Sequence, residues 1–274
     1  MTVRVKDILG CIDRLAPLAL AESWDNVGLL VGDGESAVSA VLVGLDPTCG
    51  LIDEAIARGA NTVVTHHPVI FKPLSAINTA SAEGRLLHKA LCNGISIIAA
   101  HTNFDSASGG VSAVLAARLG LRELAPLLPA SREGEPVGLG CIGSYLPPLA
   151  GEEFLRRLRQ VLQQDRVRVA GLLPETVPQV AICGGSGSEF AALARDQGAA
   201  VYLSAEIKHS TAIWAVENRY CVIDGGHYAT EKPAVAELVA RLRSAAAGRH
   251  WQVEIFESAT ERPPFQELGG VNPQ

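Results

Sequence analysis

The sequence predicts an α/β fold of two similar lobes with mixed, mainly parallel sheets. Short apolar runs typical of strands alternate with helix-like segments along most of the chain, as in βαβ units. Two such stretches repeat the same plan in the two halves of the chain. Polar residues capable of chemistry collect where predicted strands end, which is where open α/β sheets bind ligands.

The composition describes a globular chain without a basic surface. Its 274 residues are 48% hydrophobic and 19% charged, enough for one large domain or two modest ones. The formal net charge is −6, so no positive field steers the protein onto nucleic acid or an anionic membrane. We therefore expect neither a nucleic-acid partner nor a membrane partner.

The N-terminal segment and the cysteines predict a cytoplasmic location. The N-terminal segment contains Asp7 and lacks a clean apolar stretch with a cleavage site, so we expect no signal peptide. No run approaches the ~18 apolar residues of a membrane-spanning helix. The six cysteines are scattered without a CxxC pair, which is typical of reduced, mostly buried thiols in a cytosol.

Residues 41–67 and 180–206 share a plan of strand, turn, helix and second strand. The first segment is VLVGLDPTCGLIDEAIARGANTVVTHH and the second is VAICGGSGSEFAALARDQGAAVYLSAE. In an ungapped alignment Gly59 falls on Gly198, and each glycine is placed to end its helix. Identities are few, so a duplication and a generic βαβ likeness both stay open. Either origin predicts two α/β lobes.

We place the first lobe at residues 1–128 and the second at 129–224. Residues 225–260 complete the first lobe, and residues 261–274 form a tail that we expect to be poorly ordered. The Gly/Pro-rich connection between the lobes should carry the crossover and an edge strand near Leu139–Tyr145.

Polar residues follow four of the predicted strands directly. Four of the seven histidines lie at these strand ends, together with three carboxylates. The residues are Asp46, His66, His67, His101, Asp105, His227 and Glu231. Because such ends meet at one edge of a parallel sheet, we expect these side chains to lie near one another.

Each carboxylate also has a purely structural interpretation. Asp46 lies in the turn sequence DPT and could hydrogen-bond its own turn. Asp105 precedes a helix and could cap it. Glu231 falls near a helix start, where a carboxylate favours the helix dipole. The combination of these carboxylates with histidines favours a metal-binding site.

Imidazole nitrogens and carboxylate oxygens are ligands for zinc, iron and manganese. Three histidines and two carboxylates exceed what one catalytic ion with an open position needs, and they suit two ions ~3.5–4 Å apart. Adjacent His66 and His67 fit such a site. The chain leaves the strand at Pro68, so each imidazole can serve a different ion.

Other kinds of site have weaker support. The chain lacks the nucleophile elbow GxSxG and the phosphate loop GxxxxGKS. The loop GGSGS at residues 184–188 either cradles a phosphate with its N–H groups or is a tight glycine turn. Glu206, Lys208 and His209 lie at the second lobe's equivalent of His66 and His67, and either face a substrate or begin a solvated helix.

Four motifs resemble those of the GTP cyclohydrolase 1 type 2 homologue family, also called the NIF-three-like family. They are ESWDNVGLLVG (22–32), THHPVIFKP (65–73), AHTNFDSASGGV (100–111) and IDGGHYATEKPAV (223–235), in the family's order over most of the chain. The resemblance implies a dinuclear metal site in the cleft between the lobes. Its implied ligands are His66, His67, Asp105, His227 and Glu231.

The resemblance also implies roles and an assembly. Glu231 would bridge the two ions, and His101 would lie beside them as a proton carrier. The cofactors would be two divalent ions per subunit, of Zn, Fe, Mn or Co. A ring-shaped (toroidal) homohexamer is typical of the family. Only a short connection lies where some relatives carry an inserted domain, so the chain resembles the family's short form.

The implied activity is that of a dinuclear-metal-dependent hydrolase. Metal-activated water would attack a nucleotide, with the guanine imidazole ring of GTP as the target that the family name suggests. Two alternatives stay open: a metal-dependent phosphoesterase, and a non-catalytic, ring-forming metal-binding or adaptor protein.

Overall fold

Two hydrogen-bonded sheets form the framework of the chain in the computed structural model, which describes residues 2–130 and 136–265. The helices are α1 (Val5–Leu15), α2 (Cys49–Ala57), α3 (Ala82–Cys92), α4 (Thr102–Ser106), α5 (Val111–Leu119), α6 (Gly151–Leu162), α7 (Ala191–Asp196), α8 (His209–Glu217) and α9 (His227–Gly248). The strands are β1 (Gly28–Val31), β2 (Ala40–Gly44), β3 (Thr62–Thr65), β4 (Ser96–Ala99), β5 (Arg122–Pro129), β6 (Gly138–Ala150), β7 (Arg168–Ala170), β8 (Thr176–Ser186), β9 (Val201–Ala205), β10 (Cys221–Asp224) and β11 (Glu254–Glu257).

The first sheet has the strand order β1-β4-β3-β2-β11. Its strands run parallel except β1, which pairs antiparallel with β4. Every residue of β2 is buried, as expected for a strand covered on both faces. Val41 and Val43 pack with α1 and α9, whereas Leu42 between them packs with α2 and α3. The period-two alternation of a strand thus divides its side chains between two helical layers.

The second sheet has the strand order β5-β6-β8-β9-β10-β7. Strands β8, β9 and β10 are parallel, and the outer pairings are antiparallel. Leu203 of β9 packs with α5 and α6, and neighbouring Tyr202 packs with α7 and α8. Over both sheets, five of the nine described strand pairings are parallel. The predicted fold class of two mixed, mainly parallel sheets is confirmed.

The two segments with a common plan form matching βαβ units. Strands β2 and β3 pair in parallel around α2, and β8 and β9 pair in parallel around α7. Gly59 and Gly198 follow the two helices with φ of +65° and +88°. A glycine adopts this left-handed conformation without steric cost, which explains the shared helix stop.

The predicted strand near Leu139–Tyr145 is present, but the prediction that it lies at the edge of the sheet is wrong. Strand β6 covers these residues but lies inside the sheet, between β5 and β8. The edge is β5, which contains Pro126 and Pro129. Proline has no N–H to donate to a neighbouring strand, so it is tolerated on an edge strand. Because a proline usually argues against a strand, the sequence pattern did not reveal β5.

The C-terminal part of the chain connects the two sheets. Helix α9 begins just after β10 and packs Leu238, Val239 and Leu242 into the core of the first sheet, while β11 pairs with β2. The boundaries 1–128, 129–224 and 225–260 stay a prediction. Most of the predicted tail, residues 266–274, lies outside the described residues. No helix in the described ranges is both long and apolar enough to cross a bilayer.

Candidate metal centre

His66 and His67 follow β3 where the strand leaves the first sheet. The N–H of His67 donates to the carbonyl of Leu45 at 3.0 Å, which holds the pair against the end of β2. Their ring centroids are 5.0 Å apart and the planes are tilted by 51°. The rings do not divide between core and solvent, because both Nε2 atoms face the carboxylate of Glu231. Strand alternation has ended at this point of the chain.

The end of β4 and helix α4 bring a second pair of side chains to the same place. Asp105 Oδ1 lies 3.7 Å from His66 Nε2. The His101 ring centroid is 5.1 Å from that of His66 and 5.5 Å from that of His67. Helix α5 is preceded by Gly110 without a side-chain cap, so Asp105 does not have the capping role that its position in the sequence allowed.

Helix α9 supplies the remaining donors from the side of the second sheet. His227 and Glu231 are one turn apart on one helix face, and His227 Nε2 lies 3.1 Å from Glu231 Oε2. The Nε2 atoms of His227 and His67 are 3.3 Å apart. Glu231 is only 3% exposed. A carboxylate that merely favoured the helix dipole would have no need of burial.

Each of these four histidines has its Nδ1 atom against an oxygen atom. The partners are Ala100 O for His66 at 2.8 Å, Asp46 Oδ1 for His67 at 2.7 Å, Asp25 Oδ1 for His101 at 2.9 Å and Glu206 Oε1 for His227 at 3.0 Å. An acceptor at Nδ1 fixes the ring proton there and leaves the Nε2 lone pair for another ligand. This pattern is typical of histidines that bind metal ions.

The donor atoms around Glu231 fit a divalent cation. Two donors bound tetrahedrally to one zinc ion lie about 3.3 Å apart, given bonds of about 2.0 Å. The Nε2 atoms of His67 and His227 and the Oε2 atom of Glu231 are separated by 3.1 to 3.3 Å. His66 Nε2 and Glu231 Oε2 are buried without a hydrogen-bond partner. Two sets of residues could each hold an ion: His66, His67 and His101, and His67, His227 and Glu231.

Charge in the cluster is concentrated on Glu231. Burial alone would raise its pKa, but the neighbouring imidazoles of His227, His66 and His67 hold the pKa well below its usual range. Burial raises the pKa of nearby Asp105. Burial would lower the pKa of His67, yet Asp46 and Glu231 raise that pKa to about 10. A negative group fixed among imidazoles favours a cation, whether a proton or a metal ion.

Asp25 contacts the candidate site, and the sequence reasoning missed it. Its side chain is fully buried and also accepts from the N–H of Thr102 at 3.0 Å. Burial raises its pKa, but the hydrogen bonds from His101 and Thr102 outweigh burial and hold the pKa well below its usual range. Asp25 is thus an ionised partner that orients His101. The signal in the sequence is the motif ESWDNVG, which contains Asp25.

The glycine loop GGSGS provides space for Glu231. A Cβ atom at Gly185 would lie 2.1 Å from Glu231 Oε1 and 3.4 Å from His227 Nε2, and the φ of Gly185 is +67°. The N–H groups of Gly184 and Gly185 donate to the hydroxyls of Ser112 and Thr230. These two donors are therefore engaged within the protein, and residues 184–186 form the end of β8.

The residues at the end of β9 separate into two groups. Glu206 joins the cluster through His227 and adopts an unusual φ of +53° for a non-glycine residue. Lys208 and His209 are exposed at the start of α8, where Lys208 donates its N–H to the Ser188 hydroxyl. Their contacts fit the solvated helix start that the sequence left open.

Comparisons with known proteins identify a family that matches almost the whole chain. The family model described as Duf34/NIF3 (NGG1p interacting factor 3) matches residues 3–264. A Clostridium acetobutylicum protein named GTP cyclohydrolase 1 type 2 homolog is 31% identical over 266 residues, which cover 97% of this chain and 99% of that protein. A Streptomyces coelicolor protein of the same name is 35% identical over 267 residues, covering 96% and 93%.

Solved structures show the same fold. A Staphylococcus aureus hypothetical protein superposes with a TM-score of 0.91 at 28% identity, covering 98% of this chain and 100% of that chain. A Bacillus cereus protein related to NIF3 gives a TM-score of 0.91 at 26% identity, covering 97% and 99%. The whole of the described framework is thus shared with these proteins.

Proposed function

The chain belongs to the Duf34/NIF3 family, which confirms the resemblance of its four motifs, and we propose that it is a dinuclear-metal-dependent hydrolase of nucleotides. The observation that supports this most directly is the position of Glu231. One oxygen faces His66 Nε2, and the other faces the Nε2 atoms of His67 and His227. A buried carboxylate shared in this way suits two ions ~3.5–4 Å apart.

In this proposal each ion has its own donors. His66, Asp105 and Glu231 would hold one ion, and His67, His227 and Glu231 would hold the other. Zinc, iron, manganese and cobalt all accept such donors. When bound, these ions supply Lewis acidity and activate water for attack on the substrate.

The remaining polar residues either orient the histidines or move protons. Asp46 and Glu206 hold the Nδ1 atoms of His67 and His227, so both Nε2 atoms keep their direction. Asp25 holds His101 in the same way, and His101 is the proton carrier of the reaction.

The substrate class follows from the names of the curated relatives. Both proteins described above are named for GTP cyclohydrolase, so we extend GTP to this chain as the candidate substrate, with water adding to the guanine imidazole ring. A phosphate-binding GGSGS segment would favour the phosphoesterase alternative, but the N–H groups of Gly184 and Gly185 are already bonded to Ser112 and Thr230.

The test is turnover by the metal-loaded protein. GTP and other nucleotides are incubated with the zinc, iron, manganese and cobalt forms, and products are separated by mass. Ring-opened product that disappears in His67→Ala, with the assembly unchanged in size, would support the proposal. Absence of turnover with every nucleotide would contradict it, and release of inorganic phosphate would favour the phosphoesterase.

We also propose a ring-shaped homohexamer in the cytoplasm. The paired strands β5 and β6 expose Leu124, Leu128 and Leu146, and exposed apolar side chains often mark subunit contacts. The six cysteines are free thiols, as expected in a reducing compartment. Light scattering should give six times the chain mass of 28.8 kDa. A monomeric mass would contradict the assembly.

A further inference from the structure

Two exposed aromatic rings lie at the edge of the candidate metal centre. Trp24 is 58% exposed and Phe71 is 44% exposed. Their ring centroids are 5.8 Å apart, and each lies 6.3 Å from the ring centroid of His101. Large aromatic side chains stabilise a protein most when they are buried. An exposed pair beside a polar cluster is therefore a candidate surface for binding a ligand.

The backbone beneath these rings is fixed by hydrogen bonds. Asn26 Nδ2 donates to the carbonyl of Ile70 at 2.6 Å, which ties the segment after Trp24 to the segment before Phe71. Asp25 joins the same segment to Thr102 and His101. The two rings are thus held next to each other and next to the histidines, rather than carried on loops without contacts.

We propose that Trp24 and Phe71 form a stacking platform that holds a planar heteroaromatic ring of the substrate beside the histidine cluster. The platform rests on the proposed hydrolase function and names the part of the substrate that this face recognises, namely the base of a nucleotide. Indole and phenyl faces bind any nucleobase by stacking, with little dependence on its hydrogen-bonding edge. The platform therefore holds a purine in place and leaves discrimination between purines to other groups.

The pair has the geometry that such a role requires. Both rings lie 6.3 Å from the ring centroid of His101, which is itself 5.1 Å from that of His66 and 5.5 Å from that of His67. The Trp24 and Phe71 rings are tilted by 56° rather than stacked on each other. A ring face of each aromatic is consequently available to a ligand instead of being covered by its neighbour.

The experiment measures equilibrium binding through Trp24 itself. The chain has three tryptophans, so the zinc-loaded full chain with Trp214→Phe and Trp251→Phe retains Trp24 as its fluorophore. We expect GMP and AMP to quench its emission with similar affinity, and ribose 5-phosphate to have no effect. Calorimetry should show that Trp24→Ala and Phe71→Ala each weaken GMP binding about tenfold, with unchanged zinc content. The matched control is Phe265→Ala, since Phe265 is another exposed ring, at 91%.

Each contrary result overturns the platform. GMP affinity that is unchanged in both variants, or quenching by ribose 5-phosphate as strong as by GMP, excludes base stacking. Quenching that depends on protein concentration without ligand would assign the pair to a contact between copies of the chain. Turnover is measured separately: stacking without turnover contradicts the hydrolase, and turnover without a contribution from Trp24 contradicts only the platform.

Discussion

The two βαβ units share a topology but contribute differently to the candidate metal centre. The unit β2-α2-β3 ends in His66 and His67, two candidate ligands. The unit β8-α7-β9 ends in Glu206, which orients a histidine, and its first strand contains Gly185, which makes room for Glu231. Each unit contributes an orienting carboxylate, Asp46 or Glu206, but the first also provides donor atoms whereas the second provides space. Equal topology therefore does not predict equal chemistry.

The largest expected effect comes from Glu231, the residue that both candidate ions share. Glu231→Gln removes the charge that faces both sets of donors, so we expect both ions to be lost. The loss of affinity should exceed the ~10–100-fold that removal of an orienting partner causes. Elemental analysis measures the ions per chain. The control is Glu237→Gln on the same helix, where the carboxylate pairs with Arg241 and is 40% exposed. Two ions retained in Glu231→Gln would refute the shared carboxylate.

The substitution Gly185→Ala tests whether the second unit makes room for the Glu231 side chain. The added methyl group would overlap Glu231 Oε1, so Glu231 must move and metal binding should fall strongly. Gly59→Ala is a matched control, because Gly59 has a φ of +65° and no atom within 4 Å of an added Cβ. The control should lose only about 1–2 kcal/mol of stability from backbone strain. Equal metal content in both variants would contradict the idea that the second unit provides space for Glu231.

Substitution of the orienting carboxylates should reduce metal binding less than Gly185→Ala does. Asp46→Ala leaves His67 Nδ1 without its partner at 2.7 Å, and we expect metal affinity to fall about tenfold or more. Glu206→Ala should have a smaller effect, since its contact to His227 is 3.0 Å and its side chain is 59% exposed. Competition with a chromophoric chelator measures both, with Asp53→Ala as an exposed carboxylate control. A larger loss in the Glu206 variant would reverse the ranking of the two units.

The smallest effect on the metal centre is expected from Glu54 of α2, which ties the first unit to the C-terminal segment. Burial would raise its pKa, but hydrogen bonds from Ala259, Ser258 and Thr260 lower it to about 2. Because this pKa lies below the ordinary value of 4.5, ionised Glu54 stabilises the fold above about pH 4.5, and the contribution is lost as the pH falls toward about 2.

The variant Glu54→Gln separates stability from metal binding. We expect the free energy of unfolding at pH 7 to fall by about 2 kcal/mol, with a flatter dependence on pH below about 4.5 and no change in ion content. Urea denaturation at several pH values gives both quantities. A pH dependence equal to that of the unchanged protein would show that Glu54 is not the titrating group.

The strand ends could be predicted because they depend on local patterns. An apolar run followed by a polar residue marks the end of a buried strand, and parallel pairing brings such ends together. His66, His101 and His227 were located in this way. The roles of the five candidate ligands and of His101 stay a prediction until the ions are counted.

The residues that were missed depend on contacts between distant parts of the chain. Asp25 lies 76 positions before His101. Gly185 matters only because α9 packs against β8 and brings Glu231 close to it. No local pattern encodes such an approach, since it results from the packing of helices on sheets. Strand β5 was missed for a different reason, because its two prolines are normally signs against a strand.

The distribution of the candidate ligands along the chain also determines when a complete site can exist. His67 and His227 are 160 residues apart, and β11 reaches the edge of the first sheet later still. During synthesis the early histidines leave the ribosome well before Glu231 does. In the proposed two-ion site, the complete set of ligands therefore exists only after residue 231 has been made. A prematurely terminated chain would carry imidazoles without the carboxylate that joins them.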